Sequence, residues 1–180
     1  MAARPRQAGF SLLELLVVVV IVGLMAGMAV FSIGAVGRET PAETEARRLT
    51  ALLQLVSEEA LVQGRDFGLE IFSDGYRFLS WDPDSRLWVV PAGDELLRAR
   101  SFPEDLQVGL VVEGREIALS EQGGRREERR DQVAPHVAIS AGGEFTPFEL
   151  YVAEAFEPRA WLLTGAANGT LDLIEPGEEP

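Results

Sequence analysis

The feature that most limits what this chain can fold into is a stretch without any formal charge, residues 15–37, entered through a single carboxylate, Glu14. Residues 15–22 are unbroken Leu, Val and Ile, so water is a poor solvent for them and they need lipid or protein around them. A helix of about 20 apolar residues spans a bilayer. Arg4 and Arg6 precede the stretch, and basic residues on that flank favour an amino end held in the cytoplasm, with the remainder across the membrane. Hydropathy alone describes a cleaved secretory signal, with Ala26, Gly27 and Ala29 as small residues for a peptidase, or a plain membrane anchor. Glu14 argues against the ordinary signal. A carboxylate within the apolar run costs a few kcal/mol in lipid and marks function, and it needs a cationic partner. If the chain is cut between Gly9 and Phe10, the new α-amino group begins the helix and Glu14 follows four residues on, along the same face. The partner is either that amine or the amine of a neighbouring subunit.

The charge is segregated. The 180 residues carry a formal charge of -13 from 16 basic and 29 acidic side chains, and every basic residue is arginine. Residues 1–9 hold two arginines, residues 10–37 hold only Glu14, and residues 38–180 hold 14 arginines against 28 acids. An acidic body of this kind argues against a nucleic-acid partner. A hydrophobic content of 47% is enough to build a packed core. The absence of cysteine removes disulfides, thiolate zinc sites and cysteine nucleophiles.

The run Gly9-Phe10-Ser11-Leu12-Leu13-Glu14-Leu15 resembles the class III signal of type IV pilins and pseudopilins. The resemblance implies that prepilin peptidase cuts after Gly9 on the cytoplasmic face, that Phe10 becomes the N-methylated terminus, and that the apolar segment stays on the mature protein. It makes Glu14 the glutamate of the motif, an assembly residue. N-methylation keeps the positive charge, so the charge pairing survives it. Gly23 and Gly27 form a small-xxx-small pair that lets another helix approach closely. No proline lies between Pro5 and Pro41, so nothing of that kind kinks the segment.

After the apolar stretch, Thr40 reads as a cap, Pro41 as the first helical residue and Glu43 as the closing member of a capping box. Apolar residues at Ala42, Ala46, Leu49, Leu52, Leu53, Val56 and Ala60 make one stripe, with Glu45, Arg48, Glu58 and Glu59 off it, and Gly64 ends the run. The stripe predicts an amphipathic helix lying on its own globular body. Strand spacing follows over residues 67–72, 75–80, 87–90, 96–100, 106–113, 116–119, 137–140, 148–153, 159–163 and 170–174, with turn signals at Ser73-Asp74-Gly75 and Asn168-Gly169. The expected fold is α+β and pilin-like, a long N-terminal helix with a transmembrane first half, packed on an antiparallel β-sandwich of two sheets. Its parts are a leader at 1–9, an assembly helix at 10–37, an amphipathic continuation at 38–64 and a periplasmic β-domain at 65–180. The charged stretch 121–132 has nothing to bury and reads as a loop between strands.

Within the body, Gly64-Arg65-Asp66-Phe67-Gly68-Leu69, Gly75-Tyr76-Arg77-Phe78-Leu79-Ser80-Trp81-Asp82, Trp88 and Gly143-Glu144-Phe145-Thr146-Pro147-Phe148-Glu149-Leu150 resemble the H-type minor pseudopilin of type II secretion systems. The resemblance implies a subunit of the pseudopilus tip that starts pseudopilus assembly for export of folded proteins across the outer membrane. It implies a single-pass protein of the inner membrane, with the other minor pseudopilins, the major pseudopilin, prepilin peptidase and membrane lipid as partners. One alternative within the fold is a minor type IV pilin, serving pilus assembly or DNA uptake. The DNA role is disfavoured by the acidic body unless Arg125, Arg126, Arg129 and Arg130 cluster. A third reading is a secreted β-sandwich binding module behind a conventional signal. Individually, the body motifs read as fold-keeping residues, with Gly143 turning, Pro147 starting a strand and the aromatics filling the core. No catalytic, metal or cofactor constellation is expected. His136 stands beside Pro135 without a sequence-local partner and reads as structural, and Asp82-Pro83-Asp84-Ser85 reads as turn chemistry rather than a calcium loop.

Overall fold

A computed structural model describes residues 12–35, 39–91, 93–121, 133–157 and 159–178. The chain divides into two units, residues 1–39 and residues 40–180. The first holds helix α1, Leu12–Ala35. The second opens with helix α2, Pro41–Gln63, whose ends follow from local chemistry. Thr40 is the cap, its Oγ1 accepting the Glu43 N–H at 3.1 Å, and Pro41 supplies a first turn that needs no N–H. The Glu43 carboxylate accepts from Arg47 Nε at 2.9 Å, an i,i+4 pair along the helix. At the other end Gly64 takes the left-handed conformation, φ +61°, and donates its N–H to the Ala60 carbonyl.

Ten strands follow: β1 Phe67–Phe72, β2 Gly75–Asp82, β3 Leu87–Val89, β4 Arg100–Ser101, β5 Leu106–Val112, β6 Arg115–Ile117, β7 Val137–Ile139, β8 Phe148–Glu154, β9 Ala160–Gly165 and β10 Leu171–Ile174. They form two five-stranded sheets in which the pairs are antiparallel. The first runs β3-β2-β1-β7 with β4 beside β2, and the second runs β10-β9-β8-β5-β6. Ser73 and Asp74 join β1 to β2 in a two-residue turn. Glu113 and Gly114, φ +50° and +74°, join β5 to β6 as a type I′ hairpin. At Asn168-Gly169 the turn is longer, with Ala166 and Thr170 bonded across it and the Asn168 Oδ1 accepting from the Thr170 N–H.

One predicted strand is largely replaced. Of residues 96–100 only Arg100 is extended, in β4. Asp94 Oδ1 accepts the Leu96 N–H at 2.8 Å, and the Arg100 guanidinium donates to the carbonyls of Glu95, Leu96 and Arg98. Side chains thus take backbone groups that a strand would have used.

The stripe of α2 is the common floor of the core. Ala42, Ala46, Leu49, Leu52, Leu53, Val56 and Ala60 are buried as the spacing predicts, and the helix contacts β1 and β7 of one sheet and β8, β9 and β10 of the other. Leu69, Ile71, Leu110, Ile139, Leu150 and Leu163 close over it. Glu45, expected off the stripe, is 5% exposed, because the body covers that flank of α2 as well; its Oε1 is held by Arg48. Strand β1 is buried along its whole length. Its Glu70 faces Arg77 across the hairpin, Nε to Oε2 2.8 Å, and the guanidinium lies over the Phe72 ring.

Tyr76 is fully buried against Phe78 and Phe102. Its hydroxyl has no hydrogen-bond partner among the described residues, and burial pushes the phenol up to about 12 from 10.0. The folded state therefore keeps its full advantage while the phenol is protonated, below about 10, and loses it as pH rises through about 12. Tyr76→Phe is expected to leave stability at neutral pH equal or higher, since an unsatisfied buried hydroxyl is removed. It is also expected to abolish the latest-titrating tyrosine signal. Urea unfolding and absorbance titration at alkaline pH check the two outcomes.

Candidate processing and assembly site

Helix α1 carries Glu14 in the first turn of its described length. Around it, Leu12 (87% exposed), Leu13, Leu15, Leu16 and the following Val and Ile residues are all exposed. Gly23 leaves open space where a Cβ would sit, and Gly27 lies in the same helix four residues on. Gly9 and Phe10 fall outside the described residues, and with them the amine end of the expected Glu14 pairing. Side chains of α1 are described for residues 12–23 and 25. Among the described residues no helix is long and apolar enough to cross a membrane.

In the body, two motifs far apart in sequence meet. Residues 140–147 carry the chain from β7, in one sheet, to β8, in the other. Ser140 Oγ accepts the N–H groups of Gly142 and Glu144, and the Ala141 N–H goes to Asp66 Oδ1 at 2.8 Å, just before β1. Gly143, φ +79°, presses on α2: its carbonyl accepts from Ser57 Oγ at 3.1 Å, and an added Cβ would stand 3.2 Å from the Leu61 side chain. Phe145 is buried and bridges Ile139, Thr146 exchanges hydrogen bonds with Ala138, and the Pro147 carbonyl accepts the Glu113 N–H. The Gly-Glu-Phe-Thr-Pro-Phe run is therefore a clamp joining both sheets to the helix.

His136 extends the β1–β7 pairing. Its N–H donates to the Leu69 carbonyl at 2.9 Å, and its Nδ1 accepts the Ile71 N–H at 3.1 Å. An accepting Nδ1 is the neutral imidazole with its proton on Nε2. Asp82 folds onto its own turn, accepting from the Asp84 N–H and Ser85 Oγ, and these bonds hold its carboxyl below the usual value. Among the described residues no group of three His, Cys, Asp or Glu side chains is placed to hold a metal ion. The charged stretch lies outside the described residues from 122 to 132, and so do Arg125, Arg126, Arg129 and Arg130, whose clustering the disfavoured DNA role would require. Sequence reasoning passed over Phe156, fully exposed at φ +72° between β8 and β9; no periodicity signals a turn residue of that kind.

Residues 4–30 match the family model of the prokaryotic N-terminal methylation motif, and residues 45–169 match that of type II transport protein GspH. The chain belongs to the GspH family. It is 33% identical to the type II secretion system protein H of Aeromonas hydrophila, over 98% of both chains. It is 32% identical to that of Pseudomonas aeruginosa, over 81% of this chain and 83% of the relative. The structure of the minor pseudopilin EpsH from the type 2 secretion system of Vibrio cholerae superposes with a TM-score of 0.65 at 29% identity, covering 78% of this chain and 100% of that one. The solution structure of Escherichia coli GspH, at 24% identity and a TM-score of 0.55, shares the fold. The clamp and the β1–β7 pairing of this GspH-family chain thus lie within the matched body. His136→Ala should leave the Ile71 N–H without its acceptor and lower the unfolding free energy by about 1–3 kcal/mol, with His136→Asn recovering part of it. Urea denaturation of the three proteins measures this.

Proposed function

We propose that this chain is a minor pseudopilin of the type II secretion system, one of the subunits at the pseudopilus tip that start its assembly for the export of folded proteins across the outer membrane. The observation that carries the reading is the joining, in one chain, of a methylation-motif segment over residues 4–30 to a GspH body over residues 45–169. In this reading residues 1–9 are the leader, 10–37 the membrane and assembly helix, 38–64 its amphipathic continuation, and 65–180 a periplasmic body whose two sheets stack as a sandwich beside α2. The body acts by contact with other subunits rather than by catalysis, and takes no cofactor. The match of the body to GspH favours the secretion subunit over a minor pilin of a surface pilus.

The mechanism follows from charge and solvent. Prepilin peptidase cuts after Gly9 and the Phe10 amine is methylated, keeping its charge. The apolar helix stores the subunit in the inner membrane as a single pass. A lone carboxylate in lipid is costly, so Glu14 seeks an ammonium, its own or that of a neighbouring pseudopilin, and subunit pairing neutralises both. Gly23 and Gly27 permit close approach of the neighbouring helix. The other minor pseudopilins and the major pseudopilin then meet the acidic body outside the membrane.

Mass measurement of the mature N-terminus tests the assignment. A methylated Phe10 is expected, and a terminus near Ala29 would end the reading. Gly9→Trp should accumulate the unprocessed chain, visible as a protein heavier by the leader; normal processing would count against Gly9. Glu14→Ala should insert into membranes as the parent does yet be depleted from sheared pseudopili, and undiminished incorporation would remove the charge-pairing role.

A further inference from the structure

Phe156 is fully exposed and sits at φ +72°, a region that bulky side chains rarely enter. The turn that presents it is held on both sides. The Ala155 N–H donates to the Asp105 carbonyl at 2.7 Å, and the Glu157 N–H to the Glu154 carbonyl at 3.1 Å. Glu154, Glu157 and Arg159 line one cleft with Thr40, Ala42, Trp161 and Pro176, so the β8–β9 turn lies at the amino end of α2. The opposite end of the helix, roughly 34 Å away for 23 residues, is where Leu61 meets Gly143. Between α1 and Thr40 stand only residues 36–39, and four residues reach at most about 14 Å. The turn that bears Phe156 thus lies at the end of the body where the chain enters it, at Thr40.

We infer that the β8–β9 turn is a second membrane contact of the stored subunit, with the Phe156 ring resting at the headgroup level of the leaflet from which α1 emerges. The inference rests on the membrane-anchored reading above. Aromatic rings favour that depth, where the ring is apolar and the surroundings are wet. Glu154, Asp105 and Glu157 outnumber Arg159 around the turn, so a zwitterionic surface suits it and an anionic one opposes it.

The test uses the full-length chain in nanodiscs of phosphatidylethanolamine with a minor fraction of phosphatidylglycerol. The photo-cross-linker p-benzoylphenylalanine replaces, one at a time, Phe156, Leu87 and Leu16. Leu87 is 49% exposed in β3, opposite Asp82, whose neighbour Trp81 donates its N–H to the Asp66 carbonyl just beyond the carboxyl end of α2. Expected are lipid adducts at Leu16, and lipid adducts at Phe156 several-fold above those at Leu87, falling as the phosphatidylglycerol fraction rises. Equal yields at Phe156 and Leu87, or protein rather than lipid adducts at Phe156, overturn the contact while leaving the anchor standing. Failure at Leu16 removes the membrane reading itself, and this contact with it.

Discussion

Both sheets depend on one surface, the buried stripe of α2. Leu49, Leu52, Leu53 and Val56 are buried, and the helix that carries them meets β1 and β7 of one sheet and β8, β9 and β10 of the other. Each such side chain contributes about 1.5–3 kcal/mol when fully buried. The sheets share this floor, so the ends of the helix set the frame for everything built on it. That gives the two caps a weight beyond their local hydrogen bonds: Thr40 and Pro41 fix where the stripe starts, and Gly64 turns the chain directly into β1.

The chain passes between the two sheets repeatedly. Strand β7 belongs with β1 although β6 before it and β8 after it belong to the other sheet. A three-residue strand inserted this way has few ladder bonds of its own, and its neighbours supply more. His136 adds two bonds to β1, Thr146 adds two to Ala138, and the Asp66 carboxylate caps Ala141. Glycine is required where backbones crowd. A Cβ on Gly165 would sit 2.1 Å from the Phe148 ring, and one on Gly75 would sit 2.3 Å from the Arg100 carbonyl. The motif residues of the body are packing and turn residues.

The two helices are built for different solvents. Helix α2 is amphipathic and ends in defined caps, while α1 has one charge in 24 residues and exposes its described apolar side chains. A helix apolar all round is stable only where its whole circumference is covered. Under the function proposed above, lipid and neighbouring helices would both provide that cover.

The helical stripe from Ala42 to Ala60, the hairpin at Ser73 and Asp74, most strand positions and the motif around Glu14 are legible in the sequence because each rests on a local period or a local turn preference. Local rules also explain the misreadings. Residues 97–100 alternate apolar and basic as a strand does, but Arg100 and Asp94 take the backbone groups a strand needs. Glu45 lies off the apolar stripe yet is buried, because how far the body wraps around α2 is not written in α2. The sequence by itself determined the segregation into a basic stub, an apolar helix and an acidic body, since charge and hydropathy are properties of contiguous segments. Only the tertiary structure decided that β7 crosses to the other sheet, that Asp66 meets the Ser140 turn, that His136 serves β1, and that Phe156 stands at the amino end of α2. Those are contacts between residues far apart in the chain, and pairing across such distances depends on which surfaces the folded core brings together.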